Sequence, residues 1–123
     1  KCAPIEIYNF LEKKIEFALS EGIKLNRIAI DPGFGFGKSP LHNMQIMAWL
    51  PMFQSLGVPV LLGVSRKSSI AALSKNETPK ERLAGSIALL CYANLFGTQI
   101  IRVHDVMETS QAINICSNVN RQI

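Results

Sequence analysis

"VPVLLGVS", residues 58–65, is an apolar run rich in valine and leucine, with Gly57 before it and the polar residues Arg66, Lys67 and Ser68 after it. Short continuous apolar runs between turn residues are typical of strands buried on both faces, as in parallel sheets. Two further runs have this character: residues 27–31, which end in a carboxylate, and "QIIRVHD", residues 99–105. The sequence therefore predicts three strands, each followed by polar side chains.

Helical patterns surround these strands. The four predicted helices cover residues 4–19, 43–56, 78–96 and 105–116. Pro51 is expected to bend the second helix, because proline lacks an N–H and clashes with the preceding turn. Thr78 and Glu81 predict a capping box for the third helix, and Asp105 with Glu108 is expected to cap the fourth.

The order of elements is helix, then strand and helix three times. This alternation predicts an α/β fold with parallel strands and helices packed outside them. In such folds the chemistry gathers at the carboxyl ends of the strands, where the polar residues of this chain fall. Three strands cannot close a barrel, so their apolar edges are expected to need a cover.

Composition indicates one ordinary domain. The chain has 123 residues, 48% of them hydrophobic, a formal net charge of +4, and no apolar run near the roughly 20 residues of a membrane span. That charge suits a small anionic substrate and is too weak to argue for nucleic acid. Cys2, Cys91 and Cys116 follow no metal spacing and are expected to be free thiols in a reducing cytoplasm. Because residue 1 is lysine, the start is expected to be an interior point of something longer.

"DPGFGFGKS", residues 31–39, looks like a phosphate-binding loop but does not have its spacing. A P-loop needs a glycine five residues before its Gly-Lys-Ser, and Pro32 occupies that position without an N–H to offer. Nucleotide binding is therefore disfavoured. Phe34 and Phe36 alternate with the glycines, and aromatic side chains on such a loop are expected to pack over a ligand more often than into a core.

Two of the polar residues, Asp31 and Lys67, each have a functional interpretation and a purely structural one. Asp31, at the end of a strand, can accept paired N–H donors from a guanidine-like edge, but it is equally a turn residue in Asp-Pro-Gly. Lys67 can be a ligand for a carbonyl or a developing negative charge, or a solvated loop lysine. Alternation along an extended segment would put Ser65 and Lys67 on one side and Arg66 on the other.

Arg102 and His104 carry a stronger signal. The two-residue period of a strand places both side chains on the same side, at its carboxyl end. A guanidinium and an imidazole together form a site for phosphate or pyrophosphate. The alternative is a surface pair between Arg102 and Asp105, with a packed histidine.

Four stretches together resemble one family. They are "DPGFGFGKS" at 31–39, "GVSRKSS" at 63–69, "ERLAGSIA" at 81–88 and "IIRVHDVMETSQA" at 100–112. In this order they are similar to successive signatures of dihydropteroate synthase, the folate-pathway enzyme that sulfonamides inhibit. The resemblance implies a (β/α)₈ TIM barrel, which typically takes ~250 residues. Residues 1–123 would form its C-terminal half: the fifth helix, then strands six to eight with their helices.

The resemblance also implies an activity and a set of roles. The family condenses p-aminobenzoate with hydroxymethyl-dihydropterin pyrophosphate, releases pyrophosphate and uses Mg²⁺. By similarity, Asp31, Gly63 and Lys67 would bind the pterin, Phe36, Ser68 and Lys67 would line the p-aminobenzoate site, and Arg102 and His104 would hold the pyrophosphate. Lys67, Arg102 and His104 would be the catalytic residues. The metal ligand would lie in the missing N-terminal half of the barrel, and the full-length protein would be a homodimer.

Two alternatives stay open at this point. One is another pterin-binding barrel of the methyltetrahydrofolate methyltransferase type, which should lack the Ser-Arg-Lys-Ser group and the Arg-x-His pair. The other is a non-catalytic fragment that binds pterin or pyrophosphate. Ser69 and Pro51 depart from the family pattern, since a bulkier apolar residue and a continuous helix are usual there.

Overall fold

The structure, a computed structural model, describes residues 3–35 and 38–123. Within them, helices alternate with very short strands. The helices are α1 (Ala3–Ser20), α2 (Pro40–Ala48), α3 (Leu50–Phe53), α4 (Ser68–Ala72), α5 (Leu83–Phe96) and α6 (Val106–Asn120), and the strands are β1 (Leu61–Leu62) and β2 (Ile100–Ile101). Short 3₁₀ turns cover Leu25–Arg27, Gln54–Leu56 and Pro79–Glu81. Among the described residues, no helix is both long and apolar enough to cross a bilayer.

The strands are parallel, as the alternation of elements predicts. β1 pairs with β2, with Leu61 opposite Ile100. The first predicted strand, residues 27–31, is reduced to one parallel bridge between Ile30 and Val60. Its first residue belongs instead to a 3₁₀ turn, because the N–H of Arg27 is bonded to the carbonyl of Lys24. The order across the sheet is therefore Ile30, β1, β2.

The predicted second helix is broken at the expected place. It begins at α2, where the Ser39 hydroxyl accepts the N–H of His42, and it is interrupted at Trp49. Pro51 then occupies an early position of the short helix α3, where its missing N–H costs nothing. The bend at this proline is confirmed, but the helix starts three residues before the predicted boundary.

Of the two helix caps predicted for the later helices, one is confirmed and the other is wrong. Thr78 and Glu81 form the predicted capping box, although the helix it opens is first a 3₁₀ turn and becomes α-helical only at Leu83. Asp105 precedes α6 but does not cap it with its side chain. Its carboxylate binds Arg66 instead, at 2.6 Å and 3.2 Å. A bidentate, charge-assisted pair outcompetes a single bond to a backbone N–H.

The core lies between the strands and the helices that cover them. Its fully buried members come from the glycine-rich loop, α2, α3, β1 with the residues flanking it, and α5: Phe34, Ile46, Leu50, Phe53, Val60, Leu62, Val64, Leu90 and Ala93. The expectation that Phe34 packs over a ligand is wrong, since its side chain is only 1% exposed and belongs to this core. Burial of that large aromatic surface anchors the glycine-rich loop from below.

Candidate functional site

The polar residues at the carboxyl ends of the strands converge on one cavity of about 300 Å³. The residues lining it come from the segments after β1 and β2: Gly63, Ser65, Lys67, Arg102, Val103 and His104. Three of the six carry cationic or ionisable nitrogen groups, and none of these described lining residues is acidic. A cavity of this size and charge suits a small anion.

Arg102 lies directly against the backbone of Gly63. A Cβ placed on Gly63 would lie 3.0 Å from Nη2 and 3.1 Å from Nε of Arg102, so any larger residue would press on the guanidinium. The N–H of Arg102 is also bonded to the carbonyl of Leu62 at 3.0 Å, which fixes the backbone at the start of its loop. Gly63 therefore gives Arg102 the room to lie flat along the cavity wall.

His104 is held by Ser65, which is buried. The Ser65 hydroxyl accepts the backbone N–H of His104 at 3.2 Å and lies 3.0 Å from Nδ1 of the same residue. This pair of contacts joins the loop after β1 to the loop after β2. With Nδ1 engaged by Ser65, Nε2 is the ring nitrogen that remains to act on a ligand.

A second bridge between the same two loops is formed by Arg66 and Asp105. The guanidinium of Arg66 donates from Nη2 and Nε to the two carboxylate oxygens of Asp105. These hydrogen bonds, and the favourable charge interaction behind them, lower the pKa of Asp105 below its ordinary 3.8 and raise that of Arg66. The alternative pairing of Asp105 with Arg102 is therefore wrong, since the carboxylate is bonded to Arg66.

The backbone of Arg66 is unusual and is hydrogen-bonded to Ser86 on α5 and to Arg82 just before it. Its φ is +55°, in the left-handed region that non-glycine residues rarely adopt. Its N–H is bonded to the hydroxyl of Ser86, and its carbonyl accepts Nη1 of Arg82, both at 2.9 Å. The predicted alternation is confirmed, because Ser65 and Lys67 line the cavity and Arg66 does not, but a tight turn rather than an extended segment produces it.

The glycine-rich loop forms the neighbouring wall. The carboxylate of Asp31 accepts the N–H of Gly33 at 2.8 Å, and buried Asn43 accepts the N–H of Gly35 at 2.9 Å. Nζ of Lys38 donates to the carbonyl of Gly33 at 2.9 Å. A Cβ on Gly35 would lie 3.3 Å from Cδ of Lys67, so the lysine stem runs along this glycine. Lys67 thus lies between the glycine-rich loop and the Arg102–His104 loop.

Comparisons with known proteins can be set beside this geometry. The family of enzymes described as "Pterin binding enzyme" matches residues 4–104. The chain belongs to this pterin-binding enzyme family. Its predicted fold class, a part of a (β/α)₈ barrel, is confirmed by the solved structures that it resembles.

Relatives within the pterin-binding enzymes are dihydropteroate synthases. The Escherichia coli K12 enzyme is 42% identical over 110 residues, which are 89% of this chain and 39% of that protein. The Xanthomonas albilineans enzyme in complex with 7,8-dihydropteroate superposes with a TM-score of 0.95 at 44% identity, over 98% of this chain and 46% of that one. A Yersinia pestis enzyme with a sulfonamide drug complex gives 0.94 at 40% identity, over 98% and 44%. The chain thus spans less than half the length of these relatives.

The structure brings together most of the residues proposed from the pterin-binding family pattern. Gly63, Lys67, Arg102 and His104 line one cavity. Asp31 is exposed in the adjoining loop, where one carboxylate oxygen closes a turn as the alternative interpretation expected. Ser68 begins α4 and is exposed, outside the lining of the cavity. Phe36 lies outside the described residues.

Sequence reasoning missed the residues that hold the site in shape. Arg66, Arg82 and Ser86 form the grip on the turn before Lys67, and Asn43 holds the glycine-rich loop. No spacing in the sequence links residues 66, 82, 86 and 105. The one available signal was the block "ERLAGSIA", whose Arg82 and Ser86 are four residues apart and therefore lie on one face of a helix.

Proposed function

We propose that this chain forms the C-terminal half of a dihydropteroate synthase, which condenses p-aminobenzoate with 6-hydroxymethyl-7,8-dihydropterin pyrophosphate. The observation that carries the proposal is the cavity at the strand ends, which unites Lys67, Arg102 and His104 without an acidic group among its described lining residues. The relatives that share this part of the fold support the same reaction. The Ser-Arg-Lys-Ser group and the Arg-x-His pair, which the methyltetrahydrofolate methyltransferase type should lack, are both present in this chain.

Arg102 and His104 are proposed to hold the pyrophosphate. Breaking the carbon–oxygen bond of the pterin substrate leaves negative charge on the departing pyrophosphate, and groups fixed in advance near that charge lower the barrier. The guanidinium of Arg102, which lies against Gly63, can offer two N–H groups to phosphate oxygens, and the imidazole of His104 can offer Nε2–H. Because Asp105 is bonded to Arg66, its carboxylate does not compete with the anion for Arg102.

Asp31, Gly63 and Lys67 are proposed to bind the pterin. A carboxylate can accept two N–H donors from the pterin's amino edge, and a lysine can donate to its ring carbonyl. Lys67 lies next to both the glycine-rich loop and the cationic cavity, as a ligand for the pterin carbonyl requires. Phe36 and Ser68 are proposed to line the p-aminobenzoate site, with Lys67 beside both substrates.

Mg²⁺ is proposed as the cofactor, because the family that the sequence resembles uses it. Within residues 3–35 and 38–123, no three His, Cys, Asp or Glu side chains are grouped so that they could hold a metal ion. The nitrogen groups of the cavity are hydrogen-bond donors, whereas Mg²⁺ binds oxygen ligands. As the resemblance implies, the protein ligand is proposed to lie in the remaining half of the barrel, and no step of the chemistry above depends on the metal.

The test is turnover of labelled p-aminobenzoate by the complete polypeptide that contains this chain, after its intact mass has been checked. Lys67→Ala and Arg102→Ala should each lower kcat/KM by roughly 10²-fold or more, as loss of one positioned donor does. Arg121→Ala, at the end of α6, is the matched control and should leave turnover unchanged. Unaltered activity in both cavity variants would contradict the assignment, and no product from the intact protein would remove the synthase proposal.

The isolated 123-residue chain tests the non-catalytic alternative. If the chain binds pyrophosphate without turnover and Arg102→Ala abolishes that binding, the anion site is complete in this half and the reaction needs the other half. If the chain alone gives product, association of copies rebuilds a working site. Binding that persists in Arg102→Ala would place the anion elsewhere.

A further inference from the structure

Two cysteines face each other between the last two helices, away from the candidate site. Cys91 lies on α5 and Cys116 on α6, and both are half-buried free thiols. They line the same cleft, of about 480 Å³, together with Leu83, Ile87, Glu108, Gln111, Ala112 and Ile115. A hydrogen bond of 3.3 Å from Asn94 to Ser117, one residue from Cys116, holds the helices together beside the cleft.

The two thiols also interact with each other. Burial, together with a hydrogen bond and a charge interaction with Cys116, raises the pKa of the Cys91 thiol to about 11. Cys91 is therefore protonated at neutral pH. A thiol with a high pKa is a slow initial nucleophile, but once it has formed a disulfide it is also a poor leaving group, so the disulfide resists reduction.

We propose that Cys91 and Cys116 form a dithiol site that a low-molecular-weight disulfide oxidises to an intramolecular disulfide joining α5 to α6. The inference rests on the packing of the two helices and is independent of the proposed synthase reaction. Neither thiol belongs to the cationic cavity.

The reaction balances as two exchange steps. Cys116 loses its proton to solvent base and its sulfur attacks one sulfur of the small disulfide, whose other half leaves as a thiol after taking a proton from water. Cys91 then loses its proton to solvent base and attacks the Cys116 sulfur, which expels the second small thiol. The protein loses two hydrogens and two electrons, and one small disulfide becomes two thiols. The cross-link closes the segment that contains β2, Arg102 and His104.

The test uses oxidised glutathione on the 123-residue chain carrying Cys2→Ser, which removes the third thiol. After quenching with iodoacetamide, intact mass should show the loss of two hydrogens and no alkylation, and peptide mapping should link residues 91 and 116. Closure should be at least tenfold faster in buffer than in 8 M urea, since only the folded chain holds the thiols together. The melting temperature should rise by roughly 10 °C, as a loop of this size predicts.

Single variants supply the matched controls. Cys91→Ser and Cys116→Ser, each in the Cys2→Ser background, should stop at one glutathione adduct and should show no rise in melting temperature. Glutathione adducts on both thiols of the parent, without a cross-link, would overturn the proposal. So would equal closure rates in buffer and urea, a comparison that needs no variant at either helix position.

Discussion

Arg66 is the residue at which the two loops of the candidate site meet. Its backbone N–H is held by Ser86 on α5, and its carbonyl by Arg82 just before α5. Its side chain is held by Asp105 just before α6. Left-handed backbone in a non-glycine residue persists only where the surroundings hold it, and such residues cluster at functional sites. Because Lys67 is the next residue, the grip on Arg66 decides which way Lys67 points.

Asp105→Asn should loosen this bridge in a pH-dependent way. The lowered pKa of Asp105 means that, on acidification, the unfolded chain takes up its proton before the folded chain does. The stabilisation is therefore complete well above pH 3.8 and is lost as pH falls below 3.8 through the folded-state value. Urea unfolding should give a lower midpoint for the variant at pH 7 and a smaller difference near pH 3. Glu12→Gln, an exposed carboxylate on α1, is the control, and an equal difference at both pH values would contradict the account.

Gly63→Ala should disturb the anion site without unfolding the chain. The new methyl group would lie 3.0 Å from Nη2 of Arg102, which is closer than carbon and nitrogen normally approach, so the flexible and exposed guanidinium must move. Displacement of a positioned group weakens its action on the ligand, and we expect pyrophosphate affinity to fall roughly tenfold. Isothermal titration measures the affinity, and the melting temperature checks the fold. Unchanged affinity would show that Arg102 does not need this glycine.

Sequence reasoning reached the cavity-lining residues because strand ends and side-chain periodicity are local properties. It placed Ser65 with Lys67 on one side of their segment and Arg102 with His104 on one side of theirs, and in the structure all four line one cavity. It failed for Phe34, whose position on a glycine-rich loop suggested exposure although the side chain fills the core. Loop composition does not reveal how much apolar surface a neighbouring helix leaves to be covered, and that quantity decided the burial of Phe34.

At the scale of elements, α4 is held in place by a missing side chain on α5. A Cβ on Gly85 would clash with Cγ2 of Ile70. The two helices can approach closely at this point because Gly85 has no side chain. Helix α4 begins immediately after Lys67. The close contact between α4 and α5 therefore supports the same turn that Arg82 and Ser86 hold.

Gly85→Ala should destabilise the fold even though alanine favours a helix. Without the clash, the change would gain about 1 kcal/mol of helix propensity. Overpacking typically costs about 1–3 kcal/mol, so we expect a net loss of stability in urea unfolding. Adding Ile70→Ala should recover part of that loss in a double-mutant cycle, since it removes the clashing carbon. Ala84→Gly, at the exposed position next to Gly85, measures the effect of helix propensity alone. A stabilised Gly85→Ala variant would contradict the close packing.

The elements themselves were predicted to different extents. Helices with long apolar patterns and the capping box at Thr78 and Glu81 were found from sequence, because these signals lie within a few residues. Helix α4 was missed, since five residues are too few to show a period. The side-chain cap expected at Asp105 failed because Arg66, 39 residues earlier, competes for the carboxylate, and local spacing carries no information about so distant a partner.

At the scale of the whole molecule, the sheet formed by the described residues has two free edges. Its order is Ile30, β1, β2, and the chain spans 39% of the Escherichia coli K12 synthase and 46% of the Xanthomonas albilineans synthase. A (β/α)₈ barrel has no edges because its first and last strands pair. The other strands of such a barrel would cover the two edges and supply the remaining walls of the cavity.

The outer face of α6 offers a second uncovered surface. Val106, Met107 and Ile115 line one shallow groove with Ser110, Gln111 and Asn114, and Met107 is 83% exposed. We propose that the full-length protein is a homodimer that buries this α6 face. In a two-fold dimer the same patch meets itself, so each apolar side chain contributes to the interface twice, once from each protomer.

Ile115→Lys in the complete protein should therefore weaken the dimer. Each interface would receive two ammonium groups, one from each protomer, and both must lose water close to a like charge. We expect the dimer dissociation constant to rise about 10²-fold or more, as for a hot-spot residue. Sedimentation velocity over a concentration series measures it. Phe17→Lys, on α1 with 63% exposure against 62% for Ile115, is the matched control and should leave the dimer intact. If Phe17→Lys dissociates the protein and Ile115→Lys does not, the interface lies on α1 rather than on α6.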